Sequence, residues 1–228
     1  MSILTNHLLN QKNPNFFLSH NRNLPMFDIR LCFAAGSIFD GDKKGLAQIT
    51  ADMVACETQQ YNEDELIDKL TLLGASLTSS VNSDYSSLTL RSLSDASLCD
   101  QAVDVLCHIL SDGIFSEKIF HRTQADCKIS LNWRHQNSMN LAFDAFNHIL
   151  YDGFGYDTPT SGTKAGLDSI TLEDVIGFYR QHYTIENAKI IIVGDIDEHK
   201  AAEIEQRITQ SLHHGQKRHY PQWQKITR

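Results

Sequence analysis

The chain has 228 residues, 41% of them hydrophobic, and can therefore bury the core of one large domain or two small ones. Its formal net charge of −8 argues against a nucleic-acid partner. No apolar run approaches the roughly 18 residues of a membrane span. Residues 1–15 are polar and lack the basic-then-apolar order of a secretory leader, so any leader has been removed or never existed. The compartment stays open between the cytoplasm and a periplasm reached after leader removal.

The first predicted elements are two strands. Residues 15–20 form a short strand candidate, which ends in a turn at 21–23. Within 24–35, apolar residues such as Phe27 and Ile29 alternate with polar ones. This alternation is typical of a strand with one buried face.

The first predicted helix begins within the sequence GLAQITADMVA and has two distinct faces. Leu46, Ile49 and Met53 fall at i, i+3 and i+7 and form an apolar stripe. Gln48 and Asp52 lie four residues apart, so they share another face, one turn above each other. Two groups at this spacing are the usual geometry of a zinc pair when both are imidazoles. Here one is an amide and the other is a carboxylate.

A second helix and a hairpin follow. Asn62 is a plausible N-cap for a helix at 63–73, and Gly74 is its stop. Residues 75–81 and 85–93 read as two strands joined by an Asn-Ser-Asp turn, a hairpin by composition.

The second half of the chain is mainly helical. The sequence predicts a helix at 97–110 and a long helical stretch at 116–151, which is broken near Asn137. An extended surface loop at 152–166 follows, and then a helix from Thr171 to about 182. The chain ends with a strand at 189–193, a helix at 198–212 and a polar segment at 213–228. This order of elements indicates an α+β fold, with helices packed against one sheet.

Short motifs along the chain resemble the pitrilysin (insulinase) family of zinc peptidases, which includes mitochondrial processing peptidase. They occur in the family's order between residues 18 and 212: Leu24-Pro25-Met26, Ala35-Gly36-Ser37, Gly45-Leu46-Ala47, Leu72-Leu73-Gly74-Ala75, Tyr156 with Pro159 and Gly162-Thr163, Ile170-Thr171-Leu172-Glu173-Asp174, and Ile192-Val193-Gly194-Asp195. The resemblance implies a mixed, mainly antiparallel sheet packed against helices. It also implies a single peptidase-like domain at 1–212, with 213–228 as a tail or the start of a linker to a second domain.

Active members of that family carry H-x-x-E-H on the first helix, where two histidines bind zinc and the glutamate polarises the attacking water. Aligned on Gly45-Leu46-Ala47, these positions are Gln48, Ala51 and Asp52 here. The family's third ligand, a glutamate, is expected within 124–130, where Asp126 is the only acid. We therefore expect no zinc, no other cofactor and no catalysis by this chain alone, because Ala51 cannot accept a proton from water.

In the active half of family members, the substrate lies as an extra strand along a sheet edge formed after the second helix. The corresponding segment here is 77–83, and the candidate substrate-binding residues are Leu77, Thr78, Ser79, Ser80, Val81 and Asn82. An ordinary solvated strand is the competing interpretation of the same small polar residues.

Three functions stay open. The first is a non-catalytic domain or subunit that helps to enclose and bind peptide with a zinc-bearing partner half, as in a heterodimer. The second is a structural or assembly subunit, like the peptidase-derived core subunits of respiratory complexes. The third is a metalloenzyme with an atypical site at Gln48, Asp52 and Asp126.

The five cysteines, and five histidines along the helices, indicate no further site. Cys32, Cys56, Cys99, Cys107 and Cys127 form no C-x-x-C pair and are predicted to be buried free thiols. The histidines at 108, 135, 148, 182 and 199 are predicted to be surface or interface residues.

Overall fold

A computed structural model of the protein describes residues 13–152 and 154–220. Its strands are β1 Phe16–His20, β2 Met26–Phe33, β3 Ser76–Val81, β4 Ser86–Leu93 and β5 Ala188–Gly194. Its helices are α1 Leu46–Met53, α2 Glu63–Leu72, α3 Ala96–Asp112, α4 Glu117–His135, α5 Ser138–Leu150, α6 Lys164–Ser169, α7 Leu172–His182 and α8 Glu198–Ser211.

The five strands form one sheet in the order β1-β5-β2-β4-β3. β5 pairs in parallel with β1, and the other three pairings are antiparallel. The predicted mixed, mainly antiparallel sheet is therefore confirmed. β3 pairs only with β4 and β1 pairs only with β5, so these two are the edge strands among the described residues.

One face of the sheet is covered by helices. Alternation in β2 places Phe27, Ile29 and Leu31 on the buried face, each at most 1% exposed. α1 packs against β3, α3 against β4 and α8 against β1. On the opposite face of the same strands, polar residues predominate, and Asp28 is paired with Arg91 at 2.6 Å. The core therefore lies between the sheet and the helices on this face, and it continues between α1 and α4.

The helix boundaries follow the capping residues that the sequence offers. Asn62 Oδ1 accepts a hydrogen bond from the Glu65 N–H at 3.0 Å, and the Glu65 carboxylate accepts one from the Asn62 N–H at 3.0 Å. This reciprocal pair is the capping box that starts α2. The predicted break in the long helical stretch is also present, since Asn137 is the N-cap of α5.

The predicted surface loop at 152–166 is wrong at its C-terminal end, where α6 begins at Lys164. Thr163 caps this helix by accepting a hydrogen bond from the Gly166 N–H at 3.0 Å. Gly166 suggested a loop, but it serves close packing: a Cβ there would lie 2.3 Å from the Lys44 carbonyl oxygen. Only the tertiary contact distinguishes this packing glycine from a loop glycine.

The described part of the polar C-terminal segment lies against the domain. The carbonyl of His213 accepts a hydrogen bond from the Ile185 N–H at 3.0 Å, and Asn187 Oδ1 accepts one from the Arg218 N–H at 2.7 Å. The domain boundary at residue 212 stays a prediction. In 13–152 and 154–220, no helix combines the length and apolarity required to cross a membrane.

Candidate functional site

The N-terminal end of α1 is held by a buried carboxylate. Asp40 is 5% exposed, and its two oxygens accept hydrogen bonds from the N–H groups of Gly45 and Ala47, both at 2.8 Å. Gly45 has a φ of 108°, a left-handed conformation that suits glycine. Burial raises the pKa of Asp40 to about 6, against the opposing effect of these two hydrogen bonds.

One turn further along α1, the two groups at the motif positions contact each other. The Gln48 side-chain amide donates to both carboxylate oxygens of Asp52, at 3.0 Å each. The side chain of Ala51, between them in sequence, is 1% exposed and ends in a methyl group. The i, i+4 spacing therefore produces an internal hydrogen-bonded pair.

α4 supplies the other wall of the site. Asp126, Cys127 and Ser130 line a cavity of about 240 Å³ together with Gln48 and Asp52. A sixth lining residue, Ser161, comes from the loop before α6. The structure thus places Asp126 beside the α1 pair, within the sequence window in which the resemblance locates a third ligand.

The electrostatics of this cavity are set by partial loss of water and by carboxylates. Asp52 reaches solvent at the cavity mouth, and its pKa is raised mainly by reduced hydration, with a smaller contribution from the charge of Asp126. The Cys127 thiol lies 3.8 Å from Asp52 Oδ2. Burial, followed by the nearby charge of Asp52, raises the pKa of Cys127 to about 12. Cys127 is therefore a neutral thiol and neither a thiolate ligand nor a nucleophile at neutral pH.

The donor set does not fit zinc. Zinc sites are built from thiolates, imidazoles and carboxylates in tetrahedral arrangement. Here the Gln48 amide already donates hydrogen bonds to both oxygens of Asp52, the one carboxylate on α1. Within the described residues, no cluster of three or more His, Cys, Asp or Glu side chains is arranged to hold a metal ion.

Cys127, Ser130 and Ser161 were not predicted as site residues. Cys127 and Ser130 follow Asp126 on the same helix. They lie within 124–130, where the third ligand is expected, but the resemblance gives them no role. Ser161 belongs to the loop with Pro159 and Gly162, which carried part of the family resemblance. The position of this loop over the cavity is a long-range contact, and the local sequence contains no signal for it.

The candidate substrate-binding residues do not all share one environment. Ser79 faces the helix layer, where its Oγ donates to the Ala51 carbonyl at 2.6 Å. Ser80 lies on the other face, with its Oγ 2.9 Å from the Oγ of Ser87. Asn82 belongs to the turn, since its Oδ1 accepts from the N–H groups of Asp84 and Tyr85 at 2.8 Å. The remaining candidates, Leu77, Thr78 and Val81, lie in β3.

All five cysteines are free, as predicted, although only Cys99 and Cys127 are fully buried. The prediction that His182 is a surface or interface residue is wrong. His182 is 4% exposed, with its Nδ1 2.6 Å from the Ala34 carbonyl and its ring stacked on Phe178. Burial lowers the pKa of His182 to about 4. His182 is buried because it lies four residues after Phe178, on the buried stripe of α7.

Two sequence profiles of known protein families match this chain. The sequence profile described as insulinase (peptidase family M16) matches residues 16–164. The chain belongs to this family. A second profile, described as the peptidase M16 inactive domain, matches residues 169–227 of the same chain.

Two curated relatives are zinc proteases by name. An uncharacterized zinc protease of Rickettsia felis is 22% identical over 202 residues, which cover 87% of this chain and 48% of that protein. The probable zinc protease PqqL of Haemophilus influenzae is 28% identical over 178 residues, covering 74% of this chain and 19% of that protein. The M16 chain thus spans about half or less of the length of these relatives.

Solved structures share the fold. The peptidase M16 inactive domain from Pseudomonas fluorescens superposes with a TM-score of 0.83 and 26% identity, covering 86% of this chain and 48% of that one. The first half of the periplasmic protease PqqL from Escherichia coli gives a TM-score of 0.79 at 15% identity, covering 90% of this chain and 46% of that one.

Proposed function

We propose that this chain is a non-catalytic M16 domain that helps to enclose and bind peptide substrate together with a zinc-bearing partner half. The observation that carries the proposal is the replacement of all three motif positions on α1 by Gln48, Ala51 and Asp52. The scaffold around these positions is intact, whereas no imidazole is present there to bind zinc and no side chain at position 51 can act as a base.

The free edge of β3 supports a role in peptide binding. The Asn82 N–H donates to the Tyr85 carbonyl at 2.9 Å, and hydrogen-bonded and non-hydrogen-bonded pairs alternate along an antiparallel ladder. The backbone groups of Leu77, Ser79 and Val81 therefore point away from β4. In the described part of the chain, no other element bonds to them. An extended peptide can add to such an edge through its main chain, largely independently of its sequence.

The first experiment tests the absence of catalysis. We expect the purified chain to contain far less than one zinc per molecule by metal analysis and to leave peptides uncleaved. Mixing it with an M16 partner that carries H-x-x-E-H is expected to give peptidase activity above that of the partner alone. About one zinc per chain, lost in an Asp52→Ala variant, would contradict the proposal and favour the atypical metalloenzyme.

A second experiment tests the edge of β3. The variants Ser79→Pro and Ser79→Ala both remove the hydroxyl that bonds to Ala51, but only proline removes the outward N–H. We expect Ser79→Pro to weaken peptide binding by about tenfold relative to Ser79→Ala, measured by fluorescence anisotropy. Equal affinities in the two variants would show that peptide does not pair with this strand. A chain that joins a stable complex but never contacts peptide would instead be a structural subunit.

A further inference from the structure

Helix α5 directs its polar face toward the domain. Its less exposed residues, Asn140, Asp144 and Asn147, lie at i, i+4 and i+7 and therefore share one face. The Asp144 carboxylate is paired with Arg134 of α4 at 2.6 Å, and the Asn140 side-chain amide donates to the Arg134 carbonyl at 3.5 Å. Within α5, which the structure describes throughout, no residue is buried. Polar contacts with α4 thus tie this helix to the domain.

The opposite face of α5 is apolar and open to solvent. Met139, Phe143, Phe146 and Leu150 follow one another at intervals of four, three and four residues and form a stripe along the helix, which we call the outer stripe. Each of the four is 51–64% exposed, and Ile149 beside them is 82% exposed. A helix in a globular domain normally turns such a stripe into the core. A continuous exposed apolar surface of this kind usually marks an interaction site.

The charges of α5 favour a protein surface over a membrane as the occupant. Helices that lie on membranes carry Lys or Arg on their polar face, whereas α5 contains neither. Its only acidic residue is Asp144, which is paired with Arg134. The helix therefore adds no unpaired carboxylate that would repel a second copy of this acidic chain.

We infer that the outer stripe pairs with the outer stripe of a second copy of this chain, with the two helices antiparallel across a twofold axis. Intervals of four, three and four are the same when read from either end. Antiparallel pairing therefore places Phe143 opposite Phe146 of the partner subunit and Met139 opposite Leu150 of the partner subunit. A twofold interface requires this reciprocity, in which one residue contacts a second and the second contacts the first. The inference goes beyond the proposed function and does not depend on it.

The exposed area is sufficient for a weak dimer. The outer stripe and Ile149 comprise five side chains that are 51–82% exposed. At about 200 Å² for each fully exposed side chain, they offer on the order of 600 Å² per copy. Two copies would bury about 1,200 Å², which is the lower limit of stable specific interfaces. We therefore expect a dissociation constant in the micromolar range.

Analytical ultracentrifugation of the full chain tests the pairing. At about 100 μM we expect a mass close to twice 25.8 kDa, with dissociation on dilution to about 1 μM. Phe143→Glu and Phe146→Lys should each weaken the dimer by at least about tenfold, because each places a charge against an apolar ring. Both positions are exposed, so the fold should persist, and circular dichroism with urea denaturation checks this.

A mixture of these two variants tests the antiparallel register. In the predicted pair, the introduced carboxylate faces the introduced ammonium group on one side of the axis, and the two remaining phenyl rings face each other on the other side. The mixed dimer should therefore form at least about tenfold more tightly than either variant with itself. A parallel pair would place each introduced charge against a phenyl ring and would show no such recovery.

Ile67→Lys is the matched control, because Ile67 is 55% exposed on a different helix, α2. The dimer should persist in this variant. A monomeric chain at about 100 μM would contradict the inference, as would equal weakening by Ile67→Lys and Phe146→Lys. Failure of the two stripe variants to associate when mixed would show that the antiparallel pairing is wrong. If the chain is monomeric and the stripe variants instead lose binding of an H-x-x-E-H partner, the inference is wrong while the proposed function is supported.

Discussion

The two ends of α1 are built in different ways. At its N-terminus, Asp40 accepts two backbone hydrogen bonds, and Gly45 and Gly162 allow two segments to approach closely. At the next turn, Gln48 and Asp52 bond mainly to each other beside an open cavity. The first end is fixed by the Asp40 carboxylate and by the close approach of the segment at Gly162, whereas the partly exposed face with Gln48 and Asp52 makes few packing contacts.

This difference explains how the M16 scaffold is present without the zinc motif. The buried stripe of α1, with Leu46, Ile49 and Met53, does not include Gln48 or Asp52. Side chains at positions 48 and 52 can therefore differ from the family motif without a change in the buried stripe, while the packed end tolerates little change. Three substitutions test the contrast between the two ends, and a fourth serves as a control.

The largest effect is expected from Gly162→Ala at the packed end. A Cβ at this position would lie 2.3 Å from the Lys44 carbonyl oxygen, and Gly162 has a φ of +77°. Both the clash and the left-handed backbone oppose alanine, so we expect a loss of about 3 kcal/mol or more in the free energy of unfolding. Urea denaturation measures this quantity.

Gly177→Ala is the matched control for this substitution. Gly177 lies in α7, and nothing lies within 4 Å of a Cβ built there. Alanine should stabilise the protein by roughly 0.5–1 kcal/mol, because the helix interior favours it over glycine. Similar losses in the two variants would show that the close approach at Gly162 does not matter.

The second prediction concerns the pH dependence that Asp40 confers. Its pKa is raised from 3.8 to about 6 in the folded state. Between these values the folded chain binds more protons than the unfolded chain, so stability falls as pH rises. Relative to Asp40→Asn, the unmodified protein should lose up to about 3 kcal/mol between pH 4 and pH 7.

The free energies of unfolding of the unmodified protein and of Asp40→Asn must be compared at each pH. The reason is that the titration of His182 changes stability in the opposite direction. Its lowered pKa, about 4, makes stability rise with pH up to roughly its ordinary value. Both proteins contain His182, so its contribution cancels. A pH-independent difference between them would contradict the prediction for Asp40.

The smallest effect is expected at the open end of α1. Gln48→Ala removes the amide that bonds to Asp52 but leaves a good helix former on a partly solvated face. We expect the free energy of unfolding to change by less than about 0.5 kcal/mol in urea denaturation. A loss above about 1.5 kcal/mol would show that this face also supports the fold.

Most of the fold was predictable because its signals are local. Alternation in β2, the Asn62 capping box of α2 and the Asn137 break before α5 each depend on residues within one or two turns. The candidate site was predictable in part. The family motif positions identified Gln48, Ala51 and Asp52, and the sequence window identified Asp126. Ser161 was missed because its position depends on a contact between distant segments. The burial of His182 had a local signal, its spacing of four residues from Phe178 on α7, which the prediction did not use.

The sequence by itself determined that this M16 chain has neither the imidazoles nor the proton acceptor of a zinc peptidase at positions 48, 51 and 52. The reason is that the spacing of residues along a helix is known without coordinates, so their side-chain types can be compared directly with the motif. The resemblance placed segment 77–83 at a sheet edge only as an expectation, and the tertiary structure decides that β3 is, with β1, one of the two edge strands in the described part of the chain. The hairpin of β3 and β4 could have been extended on either side, and the antiparallel pairing of β2 with β4 leaves β3 at the edge. The same long-range packing brings α4 and the Ser161 loop to α1 and so creates the cavity. Such contacts join residues far apart in the chain, 75 positions for Asp52 and Cys127, where the local pattern carries no information about which segments meet.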